Sequence, residues 1–211
     1  MIFKDYLQNL QWRAAVKNFD PQKTIPKEVM DRLLEGVRLT PTSFGLQAGK
    51  ILIIKNLELR KLLKSATFHQ NQVMDCSHYV VFCARTTVDE DYVTEYVRKF
   101  AQLRTLTIKD AESFVHYILG HIKKMTPQEL ENWLGKQTYI SLGNMITLCA
   151  LEGVDTCPIE GFVPTEYDEI LKLRSQGFRS TVCLALGYRS AKEKEVKKVR
   201  RKTEEIFDFI D

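Results

Sequence analysis

The sequence predicts a domain of mixed class, α+β or α/β, in which helices cover a buried sheet. Three continuous apolar runs rich in β-branched residues predict buried strands, at 51–55, 79–85 and 181–187. A stretch without proline, 89–124, has a helical composition. The 211 residues, of which 44% are hydrophobic and 27% charged, are typical of one globular domain with a core of its own.

The first half of the chain is predicted to mix helices and strands. In chain order, the predicted elements are an amphipathic helix over 2–11, a helix from Thr24 to about Leu39, a strand over 51–55, a helix over 57–66 that Asn56 caps, and a strand over 79–85. A proline-broken loop beginning at Pro41 separates the second helix from the first strand.

The second half begins with the helical stretch 89–124. The helical spacing of its apolar residues is unclear near 105–107. The next helix has the clearest start, because Thr126 can act as N-cap, Pro127 as the first helical residue and Glu129 as the capping-box partner. It is nearly apolar on all sides, which predicts a central position, and Gly153 ends it.

Three strands are predicted after that helix. They are a short buried strand at 155–157, the strand at 181–187, and a terminal strand at 206–210, where apolar residues alternate with period two. The terminal strand has no hairpin partner, so we expect it to pair with a sheet edge in another subunit.

Composition excludes several classes of protein. No apolar run is long enough to span a bilayer, and the N-terminus lacks a signal-peptide pattern. The five cysteines are odd in number and lie mostly in apolar runs without metal-ligand spacing. These features predict a reduced, cytoplasmic protein without a metal site.

The net charge is only +4, but basic residues crowd the segment 192–202. Such a run usually forms a solvated surface. A phosphate site is the second interpretation. Nucleic-acid binding is the least favoured, because the run lacks interleaved aromatic residues and no nucleic-acid module is recognisable.

The remaining candidates for chemistry are scattered polar groups. Glu160-Gly161 directly follows a buried element, which suits close approach of backbone to a ligand. Arg13 and Lys17 would be neighbours if the first helix continued through them. The other candidates are Thr42, Ser43, His69, Gln70, Gln72, Lys198 and Arg200. Each alone is typical of an ordinary surface, but together they could serve a ligand with an acidic end and a polar heteroaromatic ring.

Six motifs in this order and spacing resemble the FMN-dependent nitroreductase family, and the resemblance runs essentially end to end. They lie at 12–19 (WRAAVKNF), 40–47 (TPTSFGLQ), 75–81 (DCSHYVV), 137–144 (QTYISLGN), 157–162 (CPIEGF) and 198–200 (KVR). The resemblance implies an α+β sandwich with a mostly antiparallel central sheet flanked by helices. It also implies one domain over 1–211 in an intertwined homodimer, with segment 190–211 reaching the partner subunit.

The resemblance assigns an FMN-binding role to a defined set of residues. They are Arg13, Ala14, Ala15, Lys17, Thr42, Ser43, Gly45, His69, Gln72, Pro158, Ile159, Glu160, Gly161, Lys198 and Arg200. Within this set, Arg13, Lys198 and Arg200 would hold the phosphate. Lys17 would lie near the pyrimidine end of the ring, and the Glu160 backbone N–H would approach flavin N5, beside Gly161. His69 and Gln72 would bind the ring edge or ribityl chain.

The loop with Thr42 and Ser43 would come from the partner subunit. Three positions depart from the family pattern. Ala15 stands where a serine is frequent, Gly45 where the loop usually has asparagine, and His69 where asparagine is common. We expect FMN to bind despite these changes, because the phosphate-binding cations are retained.

The activity implied by the resemblance is ping-pong hydride transfer. NAD(P)H reduces the flavin, and a nitroaromatic, quinone or related acceptor then takes the same site. The acceptor pocket is expected around 105–125, with Phe114 and Tyr117 as candidate lining residues. Two alternatives are a flavin-consuming or dehalogenating enzyme of the same fold, and a flavin-binding or regulatory protein with little turnover.

Overall fold

The computed structural model describes residues 2–194 and 197–210, with residues 2–5 described by their backbone only. Within that part of the chain, the α-helices are α1 (Ile2–Trp12), α2 (Lys27–Arg38), α3 (Leu57–Ser65), α4 (Gln72–Asp75), α5 (Glu90–Arg104), α6 (Ile108–Ile122), α7 (Pro127–Leu151) and α8 (Pro164–Ile170). The strands are β1 (Gly49–Ile54), β2 (His78–Arg85), β3 (Asp155–Ile159) and β4 (Phe178–Gly187).

The four strands form one sheet in the order β1-β2-β4-β3, and all three pairings are antiparallel. This architecture confirms the predicted α+β class. The three strands lie where the apolar runs predicted them, extended by one to three residues at their N-terminal ends, but β1 is only partly buried, with Ile54 its one buried residue. β1 and β3 are therefore the edges of the sheet.

Hydrophobic cores lie on both faces of the sheet because its strands alternate their side chains. Tyr79 and Val81 of β2 face α3 and α8, whereas Val80 and Phe82 face α2 and α7. A third cluster fills the space between the α5–α6 hairpin and the start of α7. All five cysteines are free and buried, in agreement with their predicted place in the core.

Helix α7 has the ends that its sequence predicted. The Thr126 side chain accepts from the N–H of Glu129, whose carboxylate accepts from the N–H of Thr126. At the other end, Gly153 has φ +67°, and the N–H of Val154 donates to the carbonyl oxygen of Cys149 at 2.8 Å.

Helix α7 packs centrally against the sheet, as predicted, but within a single chain it is not buried on all sides. Tyr139, Ile140 and Leu151 are 42%, 45% and 44% exposed. Only one side of the helix faces the sheet, so these side chains remain partly exposed in a single chain. We call Tyr139, Ile140 and Leu151 the outer row of α7.

The predicted terminal strand does not form within a single chain, and its expected pairing with a second subunit stays a prediction. A single 3₁₀ turn at Thr203–Glu205 precedes residues 206–210, which have no regular structure. An alternating pattern forms a strand only where a sheet edge accepts it, and these residues are exposed, Phe209 to 92% and Ile210 to 95%. Among the described residues, no helix combines the length and apolar character needed to cross a bilayer.

Candidate functional site

The segment 13–19 follows α1 and is not helical; Ala15 bridges to Thr156 of β3, and Phe19 bridges to Arg189, just after β4. α1 ends at Trp12, and the N–H of Val16 donates to the carbonyl oxygen of Thr156 at 3.0 Å. Because the helix does not continue through them, Arg13 and Lys17 are not neighbours on a helix face. Residues 13–17 form a short row that bends at Lys17, and the Cα atoms of the two cations at its ends are at most about 13 Å apart.

Two predicted site residues lie within this row and two at the end of the adjacent strand. Ala15 is exposed and forms a parallel bridge with Thr156, whereas Ala14 is half-buried and packs on the core. Pro158 and Ile159 are the last two residues of β3 and pair with β4. A proline is tolerated here because β3 is an edge strand.

The basic tail folds back onto this segment. The Glu193 carboxylate accepts hydrogen bonds from the backbone N–H groups of Lys17, at 3.0 Å, and Asn18, at 2.8 Å. The Lys198 ammonium donates to two carbonyl oxygens in the last turn of α1, that of Leu10 at 2.6 Å. A cation at this helix end complements the helix dipole. Residues far apart in the sequence thus meet beside Arg13.

Arg13, Lys198 and Arg200 form a cluster of like charges. Burial lowers the pKa of Arg13, and the nearby charge of Arg200 lowers it further. Burial also lowers the pKa of Lys198, as do the charges of Arg13 and Arg200, with a smaller effect from Arg189. Within residues 2–194 and 197–210, none of the three forms an ion pair with a carboxylate. The cluster therefore favours an anion with several oxygens.

Lys17, at the other end of the row, points its side chain at β3. Its ammonium Nζ donates to the Cys157 sulfur at 3.3 Å. The amide Nε2 of Gln72, at the start of α4, lies 4.0 Å from the same sulfur. Two predicted site residues therefore meet at a buried cysteine outside the predicted set.

The Glu160-Gly161 turn is held from two sides. The Tyr139 hydroxyl donates to the Glu160 carboxylate Oε1 at 2.5 Å, and burial followed by this hydrogen bond raises the pKa of Tyr139 to about 12. On the other side, the Gln70 amide donates to the carbonyl oxygen of Gly161 at 2.9 Å. A Cβ at Gly161 would lie only 3.3 Å from that amide, so the glycine permits the contact.

The predicted residue His69 lies in a strained loop next to this turn. Phe68 and His69 have φ angles of +50° and +57°, a region that costs such residues about 1–3 kcal/mol each. The loop is fastened by a hydrogen bond from the His69 N–H to the Lys64 carbonyl oxygen. His69 is exposed, and Phe68 lies beside Gly161.

The loop with Thr42 and Ser43 lies on the other side of α7. The Ser43 N–H donates to the Gln137 side chain at 2.9 Å, whereas Tyr139, two residues later, binds Glu160. Residues two apart on a helix point about 200° apart. One copy of the chain therefore does not bring Thr42 and Ser43 to the Glu160 turn.

The departure at Gly45 has a local cause in the same loop. Gly45 has φ +71°, and a Cβ on it would lie 2.3 Å from the Tyr96 hydroxyl oxygen. That hydroxyl donates to the Phe44 carbonyl oxygen at 2.9 Å. Gly45 leaves space for Tyr96 of α5, and as a glycine it has no side chain that could contact a ligand.

The two predicted acceptor-pocket residues are on α6 but in different surroundings. Phe114 packs on Phe100 inside the α5–α6 hairpin, with ring centroids 5.3 Å apart. Tyr117 is exposed and meets Phe44 edge-on, at 5.9 Å. Tyr117 therefore lines the surface next to the 42–47 loop, while Phe114 packs within the hairpin.

Sequence reasoning missed Tyr139 and Cys157 as members of the site. Both lie inside the motifs at 137–144 and 157–162, so their position could have drawn attention to them. Neither is marked by a local pattern, because Tyr139 appears as one of many apolar residues on α7 and Cys157 as a core thiol. Their importance follows only from the folded contacts with Glu160 and Lys17.

Comparison with known proteins agrees with the fold and with the order of the motifs. A family model described as the nitroreductase family matches residues 10–188. A protein of Staphylococcus haemolyticus, provisionally named an NAD(P)H nitroreductase, is 34% identical over 207 residues, covering 94% of each chain.

Two solved structures share the fold at low sequence identity. A nitroreductase-type protein of Bacillus subtilis has a TM-score of 0.89 at 19% identity, covering 98% of this chain and 99% of that one. A protein of Exiguobacterium sibiricum, solved in complex with FMN, has a TM-score of 0.82 at 21% identity, covering 97% of both chains. The family match over most of the chain and the close curated relative together show that this chain belongs to the nitroreductase family.

Proposed function

We propose that this protein is an NAD(P)H-dependent FMN oxidoreductase that reduces nitroaromatics, quinones or related acceptors by ping-pong hydride transfer. The observation that carries the proposal is the cluster of Arg13, Lys198 and Arg200 beside an extended row that ends at Lys17. A phosphorylated ligand lying along this row would meet three cations at one end and a single cation at the other.

The donors present fit the two ends of FMN. Two guanidinium groups and an ammonium offer many N–H donors to a dianionic phosphate, and a dianion would relieve their mutual repulsion. Bound FMN would supply the hydride chemistry, accepting from NAD(P)H and delivering to the acceptor. Lys17 would stabilise negative charge at its end of the site. The Tyr139–Glu160 hydrogen bond would hold the turn that directs the Glu160 N–H.

Three features support a homodimer with shared sites. The outer row of α7 exposes apolar side chains, and the terminal residues Phe209 and Ile210 are almost fully exposed. Among the described residues, no strand pairs with the outer edge of β1. A second copy would cover the outer row, accept the tail, and bring its Thr42-Ser43 loop to the Glu160 turn.

FMN binding to the Arg200→Ala variant tests the phosphate assignment. We expect the dissociation constant, measured by quenching of FMN fluorescence, to rise about tenfold or more, because a charge-assisted hydrogen bond is lost. Arg201→Ala is the matched control, since Arg201 is the exposed neighbour in the tail and is not among the charges that act on Arg13 or Lys198. Equal affinities for the Arg200→Ala variant and the wild type would remove Arg200 from the site.

Anaerobic mixing distinguishes the enzyme from a flavin-binding protein without turnover. We expect NADH or NADPH to bleach the absorbance of the bound flavin, and a quinone added afterwards to restore it. A yellow protein that neither nucleotide bleaches would favour the binding or regulatory alternative. A protein that takes up no FMN would refute the cofactor assignment.

A further inference from the structure

Cys157 connects two side chains that the proposed function places at the ring end of the site. Its side chain is fully buried in β3, yet the Lys17 Nζ lies 3.3 Å from the sulfur and the Gln72 Nε2 lies 4.0 Å from it. The thiol lies 3.7 Å from the carbonyl oxygen of Pro158, to which it can donate. With its proton directed there, the sulfur presents its lone pairs to Lys17.

Lys17 is otherwise held only at its base. Its backbone N–H is bound by the Glu193 carboxylate at 3.0 Å, and the residue is exposed. Within residues 2–194 and 197–210, the Lys17 ammonium forms no ion pair with a carboxylate. A lysine stem is flexible, so the sulfur contact is what fixes the position of the charge.

A sulfur is well suited to this task because it is a weak acceptor. A carboxylate in its place would neutralise the ammonium, whereas a thiol orients it and leaves its charge and two further N–H donors for a ligand. The electrostatic attraction between a cation and a ring that gains negative charge becomes weaker as the distance between them grows. A change in the anchor should therefore alter the balance between oxidised and reduced ligand.

We infer that Cys157 is a positioning residue, which holds the Lys17 ammonium beside the bound flavin and thereby sets its reduction potential. This inference rests on the proposed binding of FMN. Cys157 does not itself need to touch the cofactor or the acceptor, since it acts through Lys17.

The midpoint potential of bound FMN in Cys157 variants tests the inference. Cys157→Ala removes the acceptor, and Cys157→Val removes it while filling the space with a slightly larger apolar side chain. We expect both to weaken binding of reduced relative to oxidised FMN by about tenfold, which lowers the potential by about 30 mV. Cys157→Ser keeps an acceptor and a donor, so its potential should stay near that of the wild type.

Two controls separate this role from a general packing effect. Cys149→Ala removes another fully buried thiol, on α7, and should leave the potential unchanged. In a Lys17→Gln background, Cys157→Ala should produce no further shift, because the cation through which it acts is gone. Thermal unfolding of each variant establishes that it is folded.

The outcomes distinguish the inference from the proposed function. Unchanged potentials in the folded Ala and Val variants would overturn the inference while leaving FMN binding intact. An equal shift with and without Lys17 would also overturn it. A wild-type protein that takes up no FMN would overturn the proposed function and this inference together.

Discussion

His78 shows how a buried residue outside the candidate site can govern stability. It begins β2, is only 5% exposed, and its ring Nδ1 lies 2.9 Å from the Ser77 hydroxyl oxygen. That oxygen already accepts from the Ile25 N–H at 2.8 Å, which leaves the hydroxyl proton to donate to a neutral imidazole. Burial, followed by the charges of Lys55 and Arg60, lowers the pKa of His78 to about 4.

The sign of the pH dependence follows from this pKa. An unfolded histidine has a pKa of about 6.5, so between pH 6.5 and 4 the unfolded state binds more protons than the folded state. We expect the free energy of unfolding to fall by about 3 kcal/mol over this interval because of His78. Urea unfolding of His78→Gln at pH 7 and pH 4.5 should show a smaller acid loss than the wild type.

His116→Gln is the control for that experiment, because His116 is exposed on α6. Its acid loss should match that of the wild type. If the His78→Gln variant and the wild type lose the same stability in acid, the neutral, buried state of His78 has no part in the pH dependence.

At the scale of elements, prediction from the sequence succeeded where residues close together in the chain determine the structure. The capping box of α7, the glycine after its end and the apolar runs of β1, β2 and β4 act within a few residues, so their signals are visible without the fold. The bridge between Ala15 and Thr156 of β3 was not predicted, because it joins residues that are far apart in the sequence.

The candidate site could be predicted only through the resemblance, and only in outline. Arg13 and Lys198 are separated by most of the chain, and nothing in their local sequences indicates that they meet. The contacts of Tyr139 with Glu160 and of Lys17 with Cys157 also require the fold.

The 42–47 loop and α5 are coupled through Gly45 and Tyr96. Gly45→Asn introduces the asparagine that the resemblance led us to expect at this position, and its Cβ would lie 2.3 Å from the Tyr96 hydroxyl oxygen. We expect this change to cost about 1–3 kcal/mol in the free energy of unfolding, as overpacking does. In a Tyr96→Phe background the cost should be smaller, since the next Tyr96 atom lies 3.4 Å away, an ordinary contact.

A double-mutant cycle measures this coupling in chemical denaturation. The cycle also accounts for the hydrogen bond to the Phe44 carbonyl oxygen that Tyr96→Phe removes. Additive costs for the two changes would mean that the loop shifts away from α5 and that Tyr96 does not restrict residue 45.

At the scale of the whole molecule, the proposed homodimer would explain both the exposed apolar surfaces and the separation of the Ser43 loop from the Glu160 turn. α7 separates the Ser43 loop from the Glu160 turn within one copy, and the same helix exposes its outer row. In a dimer packed through the outer row, the Thr42-Ser43 loop of each copy would lie close to the Glu160 turn of the other. Assembly and cofactor binding should then depend on the same residues.

Ile140→Asp tests this dependence, because Ile140 is 45% exposed in the outer row and is not part of the cluster of Arg13, Lys198 and Arg200. We expect the variant to be monomeric by light scattering and to bind FMN at least about tenfold more weakly, since a charge in an apolar interface is costly to bury. Ile108→Asp, on an 80% exposed residue of α6, should change neither property. A monomeric Ile140→Asp variant with the wild-type affinity for FMN would show that one copy binds the cofactor alone, and a dimeric one would show that the interface lies elsewhere.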